Sequence, residues 1–166
     1  MDRLDTRYLL HIKELLRHRT SGFAVLTLDC AIIETLEQFR RGMPEAPPGK
    51  SGEYFASFLT QTSFSQLFTD GHARLFYKVI RCGLLHQSEA KSSLVKRSST
   101  LPLIDFTEDR KGLIINAKAF HAKLVVVISE YASLLRSPES KRKRPKRTVL
   151  LSVHESIKWT LRQAWI

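Results

Sequence analysis

The chain has 166 residues, 43% of them hydrophobic and 26% charged, with a net charge of +11. That is enough chain for one domain with a core of its own, and its composition excludes wholesale disorder and low-complexity classes. The longest greasy run, Leu124 to Ile128, is far too short to span a membrane, and the opening MDRLDTRYLL lacks the layout of a secretory leader, so a cytoplasmic location (nuclear in a eukaryote) is expected.

Leu4, Tyr8, Ile12, Leu15 and Leu16 recur at helical spacing and predict a first helix from about residue 3 to 19, broken at Ser21-Gly22. A second helix is expected from Phe23 to Arg41, carrying Val25, Ile32, Ile33, Leu36 and Phe39 inward and stopping at Gly42. Met43 to Gly52 (MPEAPPGKSG) reads as a loop, and the aromatic-rich stretch Tyr54 to Phe68 as one or two short helices. Asp70 is placed to N-cap a helix from Gly71 to about Leu85, with Ala73, Phe76, Tyr77 and Ile80 facing inward.

The polar segment Gln87 to Thr100 has no period and is expected to be a loop. Leu101–Phe106 and Leu113–Ile115 read as the two strands of a small hairpin around the turn Thr107 to Gly112. Asn116 then N-caps the clearest helix of the chain, Ala117 to about Arg136, with Phe120, Leu124, Val127, Tyr131 and Leu134 as its apolar stripe. The expected fold is therefore all-α, a mainly helical bundle with one small β-hairpin. Residues 1–136 form the domain, 137–148 a basic linker and 149–166 a C-terminal amphipathic helix.

Charge is unevenly spread: +6 of the net +11 falls on residues 137–166, where KRKRPKR supplies Lys141, Arg142, Lys143, Arg144, Lys146 and Arg147. Cations that dense around a proline cannot pack in a core, so the run is exposed to whatever polyanion is available, nucleic acid or an anionic membrane surface. Beyond it, Leu150, Val153, Ile157, Leu161 and Trp165 make one apolar face that needs a cover: the domain itself, a second protomer or a membrane surface. Cys30 and Cys82 have no partners at metal-ligand spacing, and the six histidines form no recognised metal motif, so no metal and no cofactor are read.

The segment that carries chemistry is FYKVIRCGLLHQSEAK, where Arg81 and His86 close a helix. Neutral imidazole can take a proton from a ribose 2′-hydroxyl, and guanidinium can hold a phosphate bidentately while negative charge builds on it. A surface arginine and a C-terminal histidine cap have the same spacing, and spacing alone does not separate the two. On a regular helix residues five apart diverge by about 140°. Either Gly83 loosens the turn and lets His86 swing back, or two copies bring their motifs together; the dimer is favoured.

Around this segment the chain resembles the HEPN superfamily, whose helical domains carry an Arg-x4–6-His motif. The resemblance spans about Phe23 to Arg136: an acid-bearing second helix (LTLDCAIIETLEQFRRG), FYKVIRCGLLHQ, a small hairpin, and Asn116 opening the last long helix. It is nearer to uncharacterised HEPN-like proteins than to the well-studied toxins. It implies that Arg81 and His86 are the catalytic pair of a metal-independent endoribonuclease, of a toxin or defence type, working as a homodimer with both motifs facing one cleft. It also allows a catalytically silent module that binds nucleic acid or a protein. Where the family prefers a polar residue after the arginine, this chain has Cys82.

Asp29 and Glu34 are the candidate supporting acids. Asp29 shares the apolar face with Ile33 and Leu36, where a carboxylate needs a buried cation, Arg81 being one candidate, or a neighbouring backbone to cap; Glu34 is placed near the cleft by analogy with related domains. Structural ion pairs would account for both equally well. Lys78, Lys91, Lys96 and Arg97 flank the motif and are candidates, with residues 141–147, for holding RNA phosphates.

Overall fold

The computed structural model describes residues 4–136; the linker, the basic run and the terminal apolar face expected at 137–166 lie outside the described residues. The fold is mainly helical with a small three-stranded sheet. A π-helical turn, Asp5–Leu9, leads into α1 (Leu10–Leu15), shorter than expected because Ser21 folds back: its hydroxyl donates to the carbonyls of Leu15 and of His18 (2.8 Å for the latter). The long helix α2 (Gly22–Arg41) starts at Gly22 and stops where expected, at Gly42, whose φ of 65° is the left-handed geometry that glycine adopts without a Cβ penalty.

The aromatic stretch becomes α3 (Ser51–Gln61) and a 3-10 turn, Ser63–Gln66. Its rings make the centre of the core. Phe76 stacks on Phe120 at 5.1 Å and 12°, and Phe55 stacks on Phe76 at 5.8 Å. Phe64 and Phe68 close the cluster from the side. Large fully buried rings of this kind each contribute roughly 3 kcal/mol of transfer free energy, so this cluster ties α3, the helix that carries Phe76 and the last helix together.

The next helix does not begin as expected. Thr69, not Asp70, is the N-cap: its hydroxyl accepts from the His72 N–H, while Asp70 sits in the first turn and pairs with Arg74 at 2.7 Å. The helical run also has internal structure: α4 (Asp70–Phe76), a π-helical turn Tyr77–Arg81, and α5 (Cys82–Gln87), ended by Ser88 in the left-handed region. A π turn releases backbone groups from the regular ladder, and here the Val79 carbonyl accepts the Lys91 N–H at 3.1 Å.

Residues 87–100, expected to be a loop throughout, contain a strand. β1 (Leu94–Lys96) lies parallel to β3 (Leu113–Asn116), while β2 (Ile104–Phe106) pairs antiparallel with β3 as the expected hairpin, giving the order β1-β3-β2. A single side of β3 left open by a two-stranded hairpin gives β1 its partner; three residues are too few to show a period. Asn116 organises the join. Its side chain donates to the carbonyls of Ser98 and Leu101, pinning the β1–β2 connection over the end of β3, and its Oδ1 accepts from Ala119 N–H at the head of α6 (Ala117–Arg136). The α6 stripe holds at Phe120, Leu124 and Val127, with Tyr131 half-buried, but Leu134 is 64% exposed and Leu135 packs inward instead. At 3.6 residues per turn the buried face drifts, and a strict count from Phe120 leaves it by the fifth turn.

Candidate functional site

α2 carries both candidate acids, and they face different partners: Glu34 meets the α4–α5 run and Asp29 meets α6. In the first pair, Glu34 accepts from Arg81 Nε at 2.7 Å, with the two side chains only 26% and 15% exposed. The guanidinium also lies over the Tyr77 ring, 5.3 Å from its centroid. Burial pulls the Arg81 pKa down, but the hydrogen bond and charge of Glu34 and the neighbouring Tyr77 hold it above its ordinary value. The pair engages Nε, and the Cys82 thiol is a near neighbour of the guanidinium.

His86 lies one further turn along, in α5, exposed and without a hydrogen bond or ion pair among the described residues. Arg81, the last residue of the π turn, is tied to Glu34 of α2, while His86 in α5 is exposed; side chains five apart on a helix leave its axis about 140° apart. Gly83 does not loosen this turn. A Cβ there would stand 2.2 Å from the Glu89 carbonyl oxygen, so the glycine exists to let residues 89–91 cross close over the helix. Within one copy of the chain Arg81 and His86 make no hydrogen bond to each other, and Arg81 is committed to Glu34.

The second pair is in the core. Asp29 is fully buried, and its partner is His121 of α6, not Arg81: the Oδ1–Nδ1 distance is 2.7 Å. The other carboxylate oxygen, Oδ2, is buried with no hydrogen-bond partner. Burial pushes the Asp29 pKa up, and the hydrogen bond and charge of His121 oppose the shift without cancelling it. Cys30 beside it is fully buried, and its thiol is held well above its ordinary range by burial and the nearby acids. His121 was not singled out from the sequence, although a signal was there: it adjoins Phe120 on the apolar face of α6, as Asp29 does on α2, and facing helices with one polar residue each in their seams are apt to pair them.

The flanking cations divide. Lys78, Lys91 and Lys96 are exposed and available to an anion. Arg97 is turned into the fold, donating to Ser21 Oγ (3.3 Å) and to the Leu16 carbonyl, where it satisfies the end of α1; this is a structural use of a residue expected to hold phosphate. Lys141 to Arg147 lie outside the described residues. Among the described residues no helix is long and apolar enough to cross a membrane, and no three His, Cys, Asp or Glu side chains are grouped to hold a metal ion. Compared with known proteins, the chain matches no family model, no curated protein and no solved structure.

Proposed function

We propose that the chain is a HEPN-type endoribonuclease whose chemistry is carried by Arg81 and His86 and needs no metal. The observation that carries this reading is the Glu34–Arg81 pair. An acid of the second helix holds the motif arginine at 2.7 Å, one turn before an exposed histidine with no other partner among the described residues. An arginine oriented in this way is pre-organised to receive a phosphate, because less side-chain freedom is lost on binding.

In the proposed reaction His86 takes the proton of the 2′-hydroxyl, and the resulting oxygen attacks the adjacent phosphorus. Arg81 stabilises the phosphorane-like charge, and the 5′-oxygen leaves with a proton from a second acid. The products are a 2′,3′-cyclic phosphate and a 5′-hydroxyl. The divergence of Arg81 and His86 in one copy supports a homodimer in which the second His86 is that acid and the two motifs share a cleft. Lys78, Lys91 and Lys96, with Lys141 to Arg147, would then hold the RNA backbone on either side.

A second reading, a silent module that binds RNA or a protein, is favoured by the same divergence, since a monomer holds no assembled catalytic pair. Incubating the purified full chain with mixed RNA in EDTA, beside His86→Ala and Arg81→Ala, separates the two. Loss of cutting in both variants while each stays folded supports the nuclease; tight binding by wild type with no cutting supports the silent module.

A further inference from the structure

A cavity of about 230 Å3 opens between α2, the 43–50 loop and the start of α3. Its lining includes Glu34, Gln38, Glu45, Ser51 and Tyr54, so it shares Glu34 with the Arg81 pair and begins where that pair ends. Its volume is below the roughly 300 Å3 at which pockets for drug-sized ligands start, which suits one planar heterocycle. Its polar groups are unequally committed. Glu37, also in the lining, has both oxygens taken by Arg40 and Arg41 at 2.7 Å each, and Glu34 is held by Arg81. The Glu45 carboxylate and the Gln38 amide have no partner among the described residues. The cavity thus offers a free two-oxygen acceptor, a free amide and an aromatic wall from Tyr54, whose ring is already fixed by Arg41 stacked 3.8 Å from its centroid.

We infer that this cavity is a base-recognition pocket for guanine in single-stranded RNA; the inference rests on the ribonuclease reading for its ligand and adds a specificity to it. Unpaired bases are read by hydrogen bonds on their Watson–Crick edge and by contact with aromatic side chains. Guanine presents two adjacent N–H donors, N1–H and the 2-amino group, that match one carboxylate bidentately, and an O6 acceptor beside them. Glu45 takes the two donors and Gln38 donates to O6. Adenine presents an acceptor at N1 and would set a lone pair against the Glu45 carboxylate. The base would sit next to the phosphate that Arg81 holds, since Glu34 borders both.

The test is fluorescence anisotropy of the full chain with uncleavable 2′-O-methyl uridine hexamers that carry one central guanine, adenine or inosine. A bidentate pair discriminates against the wrong base by roughly tenfold or more. The guanine hexamer should therefore bind about tenfold tighter than the adenine one, with inosine, which lacks the 2-amino group, between them. Glu45→Gln should bring guanine down to the level of adenine, and Gln38→Ala should weaken guanine less. Equal affinity for all three hexamers, or a preference that survives Glu45→Gln, would overturn the assignment. So would an arginine-rich peptide that binds through Glu45 in the absence of any guanine preference, making the cavity a protein notch. A guanine preference in a chain that never cuts RNA sustains the pocket and removes the nuclease reading; cutting with no base preference does the reverse.

Discussion

The His121→Ala substitution tests the buried pair, and its magnitude follows from the geometry. In the wild type Asp29 is fully buried and shares one hydrogen bond with His121, through Oδ1, while Oδ2 has none. Removing the imidazole leaves the whole carboxylate without a partner in the core. Breaking a buried pair from one side costs about 3–5 kcal/mol, a large part of the roughly 5–15 kcal/mol that holds such a domain folded. The pH dependence has a definite sign. An acid whose folded pKa lies above its ordinary 3.8 contributes stability that is fully present below that value and is lost as pH rises through the folded pKa. His121 opposes the upward shift, so its loss raises the folded pKa further. The loss caused by the variant should then be smallest below the ordinary 3.8 and grow as pH rises toward neutrality, the packing lost with the imidazole remaining at every pH. Urea unfolding of wild type, His121→Ala and Asp29→Asn/His121→Ala measures this, and the double variant should recover much of the loss by removing the stranded charge. A His121→Ala loss under about 1 kcal/mol at neutral pH, or one that does not shrink on acidification, would refute the reasoning.

Gly83→Ala places a methyl 2.2 Å from the Glu89 carbonyl, so it should destabilise by about 1–3 kcal/mol in spite of alanine's better helix propensity; faster hydrogen exchange at the Lys91 amide would locate the damage. Light scattering on the full chain at tens of micromolar (roughly where specific interfaces are populated) should give a dimer, and a monomer there would count against the shared-cleft proposal. Deleting Lys141 to Arg147 should leave the thermal unfolding of the domain unchanged and flatten the salt dependence of RNA affinity, by about 0.7 in log–log slope for each phosphate contact removed; an unchanged slope would make the run a spacer.

The fold was legible wherever one signal dominated. α2 and its stop at Gly42, the hairpin of β2 and β3, and Asn116 at the head of α6 all follow from period, glycine or capping chemistry that local sequence contains. What was not legible came from tertiary competition. β1 is set by the open edge of β3, and the π turn at Tyr77–Arg81 by the Lys91 amide that crosses to Val79. At the end of α1 the local Ser21 hydroxyl is joined by Arg97, 81 residues on from Leu16, in satisfying the last carbonyls. The site shows the same division. Asp29 was visible as a misfit on an apolar face and Glu34 only by analogy, but their partners were not: Arg81 was weighed for Asp29, and the geometry gives it to Glu34 and gives Asp29 to His121. Arg97 looked like its basic neighbours and only its position inward distinguishes it.

The proposed reaction of His86 and Arg81 cuts RNA by 2′-hydroxyl attack. End-group analysis of RNA treated with the full chain in EDTA tests it most directly, using one oligonucleotide mapped for its cut site and a copy with a single 2′-deoxyribose at that position. The account predicts a 2′,3′-cyclic phosphate on the upstream fragment, a 5′-hydroxyl on the downstream one, and no cutting of the deoxy copy. It also predicts a fall of about a hundredfold or more in His86→Ala. Cutting that tolerates the 2′-deoxyribose, or that survives intact in His86→Ala, would contradict it.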